Sequence, residues 1–99
     1  MVIVAATMVA KPGKREEVIA RAQDCIAATR REKGCISYTL YSSTEDDVTL
    51  FFFEQWENPD SLKNHSNSAH LKAFKEARKP LVEGPSRVAL FEASETSLK

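Results

Sequence analysis

The run Val48-Thr49-Leu50-Phe51-Phe52-Phe53-Glu54-Gln55-Trp56, closed by Glu57-Asn58-Pro59, decides how this chain folds. Side chains alternate across a strand, so Leu50, Phe52, Glu54 and Trp56 share one face and Thr49, Phe51, Phe53 and Gln55 the other. Aromatic rings stand on both faces, which predicts a strand covered on both sides. Asn58 before Pro59 then signals a helix start, with Asn as cap and Pro at the first helical position, where its missing N–H leaves nothing unsatisfied.

Upstream of this run, Cys35 to Ser43 alternates, with Ile36, Tyr38 and Leu40 opposite Cys35, Ser37, Thr39 and Tyr41. The polar stretch from Ser42 to Asp47 joins the two strands into a β-hairpin. Downstream, a short helix is predicted to about His65. Ser66-Asn67-Ser68 offers a second cap, and Leu71, Phe74, Ala77 and Arg78 mark a further helix that Pro80 should end or kink. Leu81 to Pro85 is a connector, Ser86 to Ala93 a last strand, and 94–99 a polar tail.

At the front of the chain, Val2 to Ala10 is a β-branched run with apolar groups on both faces, broken by Lys11-Pro12-Gly13. From Lys14 to Lys33, Val18, Ala22, Cys25, Ile26 and Thr29 recur at three- and four-residue steps. Glu16 and Glu17 suit the first turn of that helix and Gly34 the position just past its end. The order β-α-β-β-α-β, with the second helix split, predicts an α+β, ferredoxin-like domain over 1–93: a four-stranded antiparallel sheet with helices on one face. Strands one and three are apolar on both faces, so a second copy packed sheet to sheet is expected, giving a homodimer.

A chain of 99 residues buries only roughly 60–65% of its unfolded surface, which makes help from a partner subunit plausible. Lys plus Arg equal Asp plus Glu at 14 each, so no net field draws the chain to nucleic acid or an anionic membrane. The basic residues Arg30, Arg31 and Lys33 cluster, but acidic residues interleave with them, which reads as a solvated surface. The apolar N-terminus lacks a basic leading segment and is broken too early for a signal peptide or a membrane span, so the cytoplasm is the expected location. Cys25 and Cys35 lack metal-type spacing and are expected as free thiols used in packing.

Several chemistries lack their marks. None of the three glycines sits in a phosphate-cradling loop, so no nucleotide, NAD or conventional flavin fingerprint is present. There is no Gly-x-Ser-x-Gly elbow. His65 and His70 with Glu54 would make a two-His-one-carboxylate set, but on a continuous helix rings five residues apart diverge by about 140°. No metal is therefore expected unless a break at Ser66 to Ser68 realigns them.

His65 lies three residues after Leu62, on the protein-facing side of its helix and near the end of the strand that bears Glu54 and Trp56. A neutral imidazole there is a candidate base for a phenol-like proton. The stripe of Leu50, Phe52, Glu54 and Trp56 would line an apolar cavity with one acid and an indole N–H, suited to a flat aromatic ligand. Tyr38, Leu62 and His70 are candidates for its walls. The ordinary alternative is core packing, with Glu54 held by a neighbouring base and His65 a satisfied packing residue.

Gly34-Cys35-x-x-Tyr38, Glu54-Gln55-Trp56-Glu57, His65 and His70-Leu71-Lys72-Ala73-Phe74 resemble the antibiotic biosynthesis monooxygenase domain family, in particular its small bacterial quinol-monooxygenase-like members. The likeness runs from Val2 to Ala93. It implies a dimeric α+β barrel and oxidation of a small aromatic quinol or polyphenol by O₂ without flavin, haem or metal. It also implies His65 as base, Glu54 and Trp56 as polar groups of the cavity and Tyr38 as a wall or donor. With the face reading above, His65, Glu54 and Trp56 are the candidate catalytic residues and Tyr38, Phe52, Leu50, Leu62 and His70 the candidate substrate contacts. Haem-degrading relatives use an Asn on the first strand and a Trp on the helix, where this chain has Ala5, Ala6, Thr7 and His65. A relative that isomerises a phosphorylated quorum-sensing sugar has a His late in the first helix, where Ile26 stands here. Isomerisation of a small carbonyl compound and a non-catalytic ligand-binding dimer are the rival expectations.

Overall fold

The computed structural model describes residues 1–98. Its elements are β1 (Val2–Val9), α1 (Arg15–Arg30), β2 (Cys35–Ser42), β3 (Thr49–Trp56), α2 (Pro59–Ser66), α3 (Ala69–Arg78) and β4 (Arg87–Glu92). All strand pairings are antiparallel, in the order β2-β3-β1-β4, and the helices pack on one face. This is the expected α+β, ferredoxin-like arrangement with a split second helix.

Each boundary has a local cause. Asn58 accepts the Ser61 N–H at 2.9 Å and Ser68 accepts the Leu71 N–H at 3.3 Å, so both downstream helices start at the expected caps. Pro80 turns the end of α3 into a short 3-10 segment over Lys79–Leu81. The hairpin turn closes on Asp46, whose carboxylate accepts from the N–H groups of Val48 and Thr49 and from the Thr49 hydroxyl.

Val2, Val4, Ala6 and Met8 of β1 and Leu50, Phe52, Glu54 and Trp56 of β3 are all buried on the helix side. The helix α1 buries Val18, Ala22, Cys25, Ile26 and Thr29 against them, the stripe read from its periodicity. Alternation fails in one place. A bulge between Cys35 and Ser37 inserts an extra residue, so Cys35 pairs with Trp56 and packs against the core, whereas Ile36, expected beside Tyr38, is 52% exposed.

The helix layer stops short of β4. Val88 and Leu90 pair with Ala6 and Val4 and so share the helix-side face, yet they are 59% and 60% exposed. An open trough runs between this strand and the α2–α3 pair.

Gly34 ties the turn after α1 to the start of α2. Its φ is +86°, its carbonyl accepts the Glu57 N–H at 2.9 Å, and a Cβ there would overlap the Ser61 side chain. Gly13 has a similar φ of +78° but open space around it. Gly13→Ala should therefore lower stability by about 1 kcal/mol from backbone strain alone, and Gly34→Ala by about 2 kcal/mol or more. Equal losses in urea denaturation would show that the approach to Ser61 carries no weight.

Candidate active site

The trough deepens into a cavity of about 610 Å³ between β1, β4 and the α2–α3 pair. Apolar wall comes from Val4, Phe52, Leu62, Leu71, Val88 and Leu90, and the polar groups include Glu54, His65 and Tyr38. Five of the residues singled out from sequence, Tyr38, Phe52, Glu54, Leu62 and His65, thus line one space. Trp56, Leu50 and His70 do not. Trp56 and Leu50 are fully buried, Trp56 behind Glu54 and Leu50 opposite Met8, one step beyond Ala6. Strand parity identifies a face, and helix placement decides which part of that face stays open.

Glu54 is 6% exposed, and its Oε1 accepts the Trp56 indole N–H at 3.0 Å. Burial pushes its carboxyl up to about 7, against the opposing effect of that hydrogen bond and with a further push from the charge of Glu32. Tyr38 is 2% exposed and burial raises its phenol, so it stays protonated, with its hydroxyl 4.0 Å from the Cys25 sulfur. Burial likewise raises the Cys25 and Cys35 thiols, which keeps both in the neutral form suited to packing.

His65 stacks on Trp56 with ring centroids 4.8 Å apart and meets Tyr38 edge-on at 5.3 Å. Its Nδ1 lies 2.7 Å from Oε2 of Glu32, and Nε2 of His70 lies 2.7 Å from the same oxygen. A carboxylate oxygen only accepts, so both ring nitrogens donate. That fixes the His65 tautomer with a lone pair on Nε2. Burial lowers the imidazole's pKa, partly offset by the hydrogen bond and charge of Glu32, so the ring is neutral at neutral pH.

Among the described residues no buried side-chain nitrogen or oxygen lacks a hydrogen-bond partner. His65 Nε2 and Glu54 Oε2, which bond no protein atom, are therefore open to the cavity that both residues line.

The sequence reading missed Glu32. It stands in the basic run Arg30 to Lys33, expected as solvated surface, yet its side chain is only 15% exposed. It is 33 and 38 positions from its two histidine partners, and no local pattern announces such a pairing. The expectation that His65 and His70 diverge is also corrected. Ser68 takes an extended backbone (φ −72°, ψ 148°) between α2 and α3, which swings the second ring back toward the first. The carboxylate between them is Glu32, whereas Glu54 lies elsewhere, bonded to Trp56.

The cavity wall also carries Lys75 and Arg78 from α3. The Arg78 guanidinium lies over the Phe74 ring at 5.0 Å, and Nη1 donates to the Met8 sulfur at 3.2 Å.

Residues 1–77 match the model of the antibiotic biosynthesis monooxygenase family. The chain belongs to that family. It is 35% identical to the uncharacterized protein sll1783 of Synechocystis over 96% of its length, and spans 65% of that relative. It is 32% identical to a Bacillus subtilis protein named "Putative monooxygenase YcnE", covering 96% of this chain and all of the relative. The solved structure of Rv0793 from Mycobacterium tuberculosis superposes with a TM-score of 0.87 at 28% identity, covering 98% of both chains. Among the described residues no helix is long and apolar enough to cross a membrane.

The buried carboxyl of Glu54 makes stability depend on pH. Its ordinary value is 4.5 and its folded value about 7, so between these the folded chain holds a proton that the unfolded chain has released. The contribution is fully present below pH 4.5 and lost as pH rises through 7. Glu54→Gln removes this loss. The variant's stability minus that of the parent should rise by on the order of 3 kcal/mol between acid and alkaline conditions, read by urea denaturation. A flat difference would mean that Glu54 is not raised.

Proposed function

We propose that this chain is a cofactor-independent monooxygenase for a small aromatic quinol or polyphenol, with His65 as the base. One observation carries the reading: a neutral imidazole, fixed by Glu32 through Nδ1, presents its Nε2 lone pair to an apolar cavity of about 610 Å³. That volume suits a small ring system. Triplet O₂ reacts slowly with closed-shell molecules, so the substrate itself has to supply electrons. Transfer of a phenolic proton to His65 Nε2 leaves a phenolate that can do so, and Glu32 stabilises the imidazolium formed.

A quinol plus O₂ then gives a hydroxyquinone plus water. One oxygen atom replaces a ring hydrogen, the other leaves as water, and the four electrons come from the quinol. In this scheme Glu54, near half-protonated at neutral pH, donates a proton to the departing oxygen, and Trp56 holds that carboxyl in place. Phe52, Leu62 and Tyr38 pack against the ring.

Oxygen uptake with a panel of hydroquinones tests the reading. Uptake that needs the protein, and a fall in kcat of about 10²-fold or more in His65→Ala, is the expected outcome. No uptake with any reduced aromatic would overturn it. A second reading, isomerisation of a small carbonyl compound, is favoured by having two groups that titrate or accept protons near neutrality, His65 and Glu54, open to one cavity. Solvent-deuterium exchange at a substrate carbon without oxygen uptake would select it.

The family likeness and the sheet's outer face together support a homodimer. Ile3, Phe51 and Phe53 on that face are only partly buried, and Tyr41 and Phe91 are 53% and 54% exposed. A second copy laid on this face would cover them. Light scattering at micromolar concentration should give twice the chain mass, and Phe53→Glu should shift it toward the monomer. A monomer mass for the parent chain would overturn the dimer.

A further inference from the structure

We infer that Glu32, His65 and His70 form a binding site for a first-row divalent transition-metal ion at the side of the cavity, with Oε2, Nδ1 and Nε2 as its protein ligands. The three donor atoms lie within 4.8 Å of one another. They come from three separate segments, the turn after α1, the helix α2 and the helix α3, so the tertiary fold alone assembles them.

The donor set is two imidazoles and one carboxylate, which suits zinc, iron, cobalt, nickel or manganese in the divalent state better than a soft ion held by thiolates. Metal bonds of about 2.0–2.2 Å put neighbouring donors about 3.0–3.5 Å apart. Glu32 Oε2 is now 2.7 Å from each ring nitrogen, so a small separation of these side chains makes room for an ion. Exposure rises across the cluster from 4% for the His65 side chain through 15% for Glu32 to 27% for His70. An ion would enter from the His70 side and keep water in its remaining positions.

The protons that the two rings now donate to Glu32 have to leave the coordinating nitrogens. In the neutral His65 ring the proton moves from Nδ1 to Nε2, and in His70 the coordinating Nε2 likewise gives up its proton. The consequence for His65 is specific. Its Nε2, open to the cavity, changes from acceptor to donor, and the base of the proposed reaction is blocked. This last step rests on the role given to His65 above, whereas the binding itself does not.

Titration of the chelator-treated full chain with zinc by calorimetry, and with cobalt by visible absorption, tests the site without any substrate. One ion per chain is expected, with cobalt bands of a nitrogen–oxygen environment. His70→Ala, at the more exposed corner, should weaken zinc binding by about tenfold or more. Nitrogen-15 NMR of the zinc-saturated parent chain should show the His65 proton on Nε2. Absence of stoichiometric binding, binding unchanged in His70→Ala, or a His65 proton retained on Nδ1 would each overturn the site and leave a hydrogen-bonded clamp only. Oxygen uptake, where a quinol supports it, should fall with zinc occupancy and return with chelator; a metal-free chain inactive toward every quinol would refute the oxygenase reading while leaving the titration result intact.

Discussion

One carboxylate oxygen, Oε2 of Glu32, accepts from two imidazoles at 2.7 Å each, and the geometry of the candidate site hangs on that arrangement. It joins the turn after α1 to both halves of the split second helix. It also removes any choice of tautomer at His65, because a carboxylate offers only lone pairs. The free nitrogen of the ring has to be Nε2, and the cavity is where that nitrogen is open.

A similar logic operates at Glu54. A carboxyl at 6% exposure is expensive to ionise, and one indole N–H from Trp56 offsets that only in part. The outcome is a group poised near neutrality instead of a permanently charged one. The two carboxyl groups thus differ in setting: Glu32, less deeply buried, accepts from two rings, and Glu54, held by one, is pushed up by burial.

The space between these groups exists because the helices leave β4 uncovered. Val88 and Leu90 continue the apolar surface of Val4 and Ala6 into the trough, and Leu62 and Leu71 face them across it. A helix layer extended over β4 would convert that surface into core and remove the cavity. The same uncovered strand gives a short chain an open apolar wall that a ligand can bury.

The elements were legible in sequence because their signals are local. Asn58 and Ser68 cap where they were expected to, and Val18, Ala22, Cys25, Ile26 and Thr29 form the buried stripe of α1. Period-two alternation on β1 and β3 identified the buried faces, and the βαββαβ order with its antiparallel sheet followed. The bulge at Ile36 escaped that reading, since it is one extra residue settled by how β2 meets β3. Leu50 was placed on the right face but under a covered part of it. Glu32 escaped altogether, as did the meeting of His65 with His70. Capping, periodicity and strand parity act over a few residues, so the chain states them in its own order. Which carboxylate a histidine finds, and where a sheet is left bare, depend on segments more than 30 residues apart brought together by packing, and only the tertiary structure decided them.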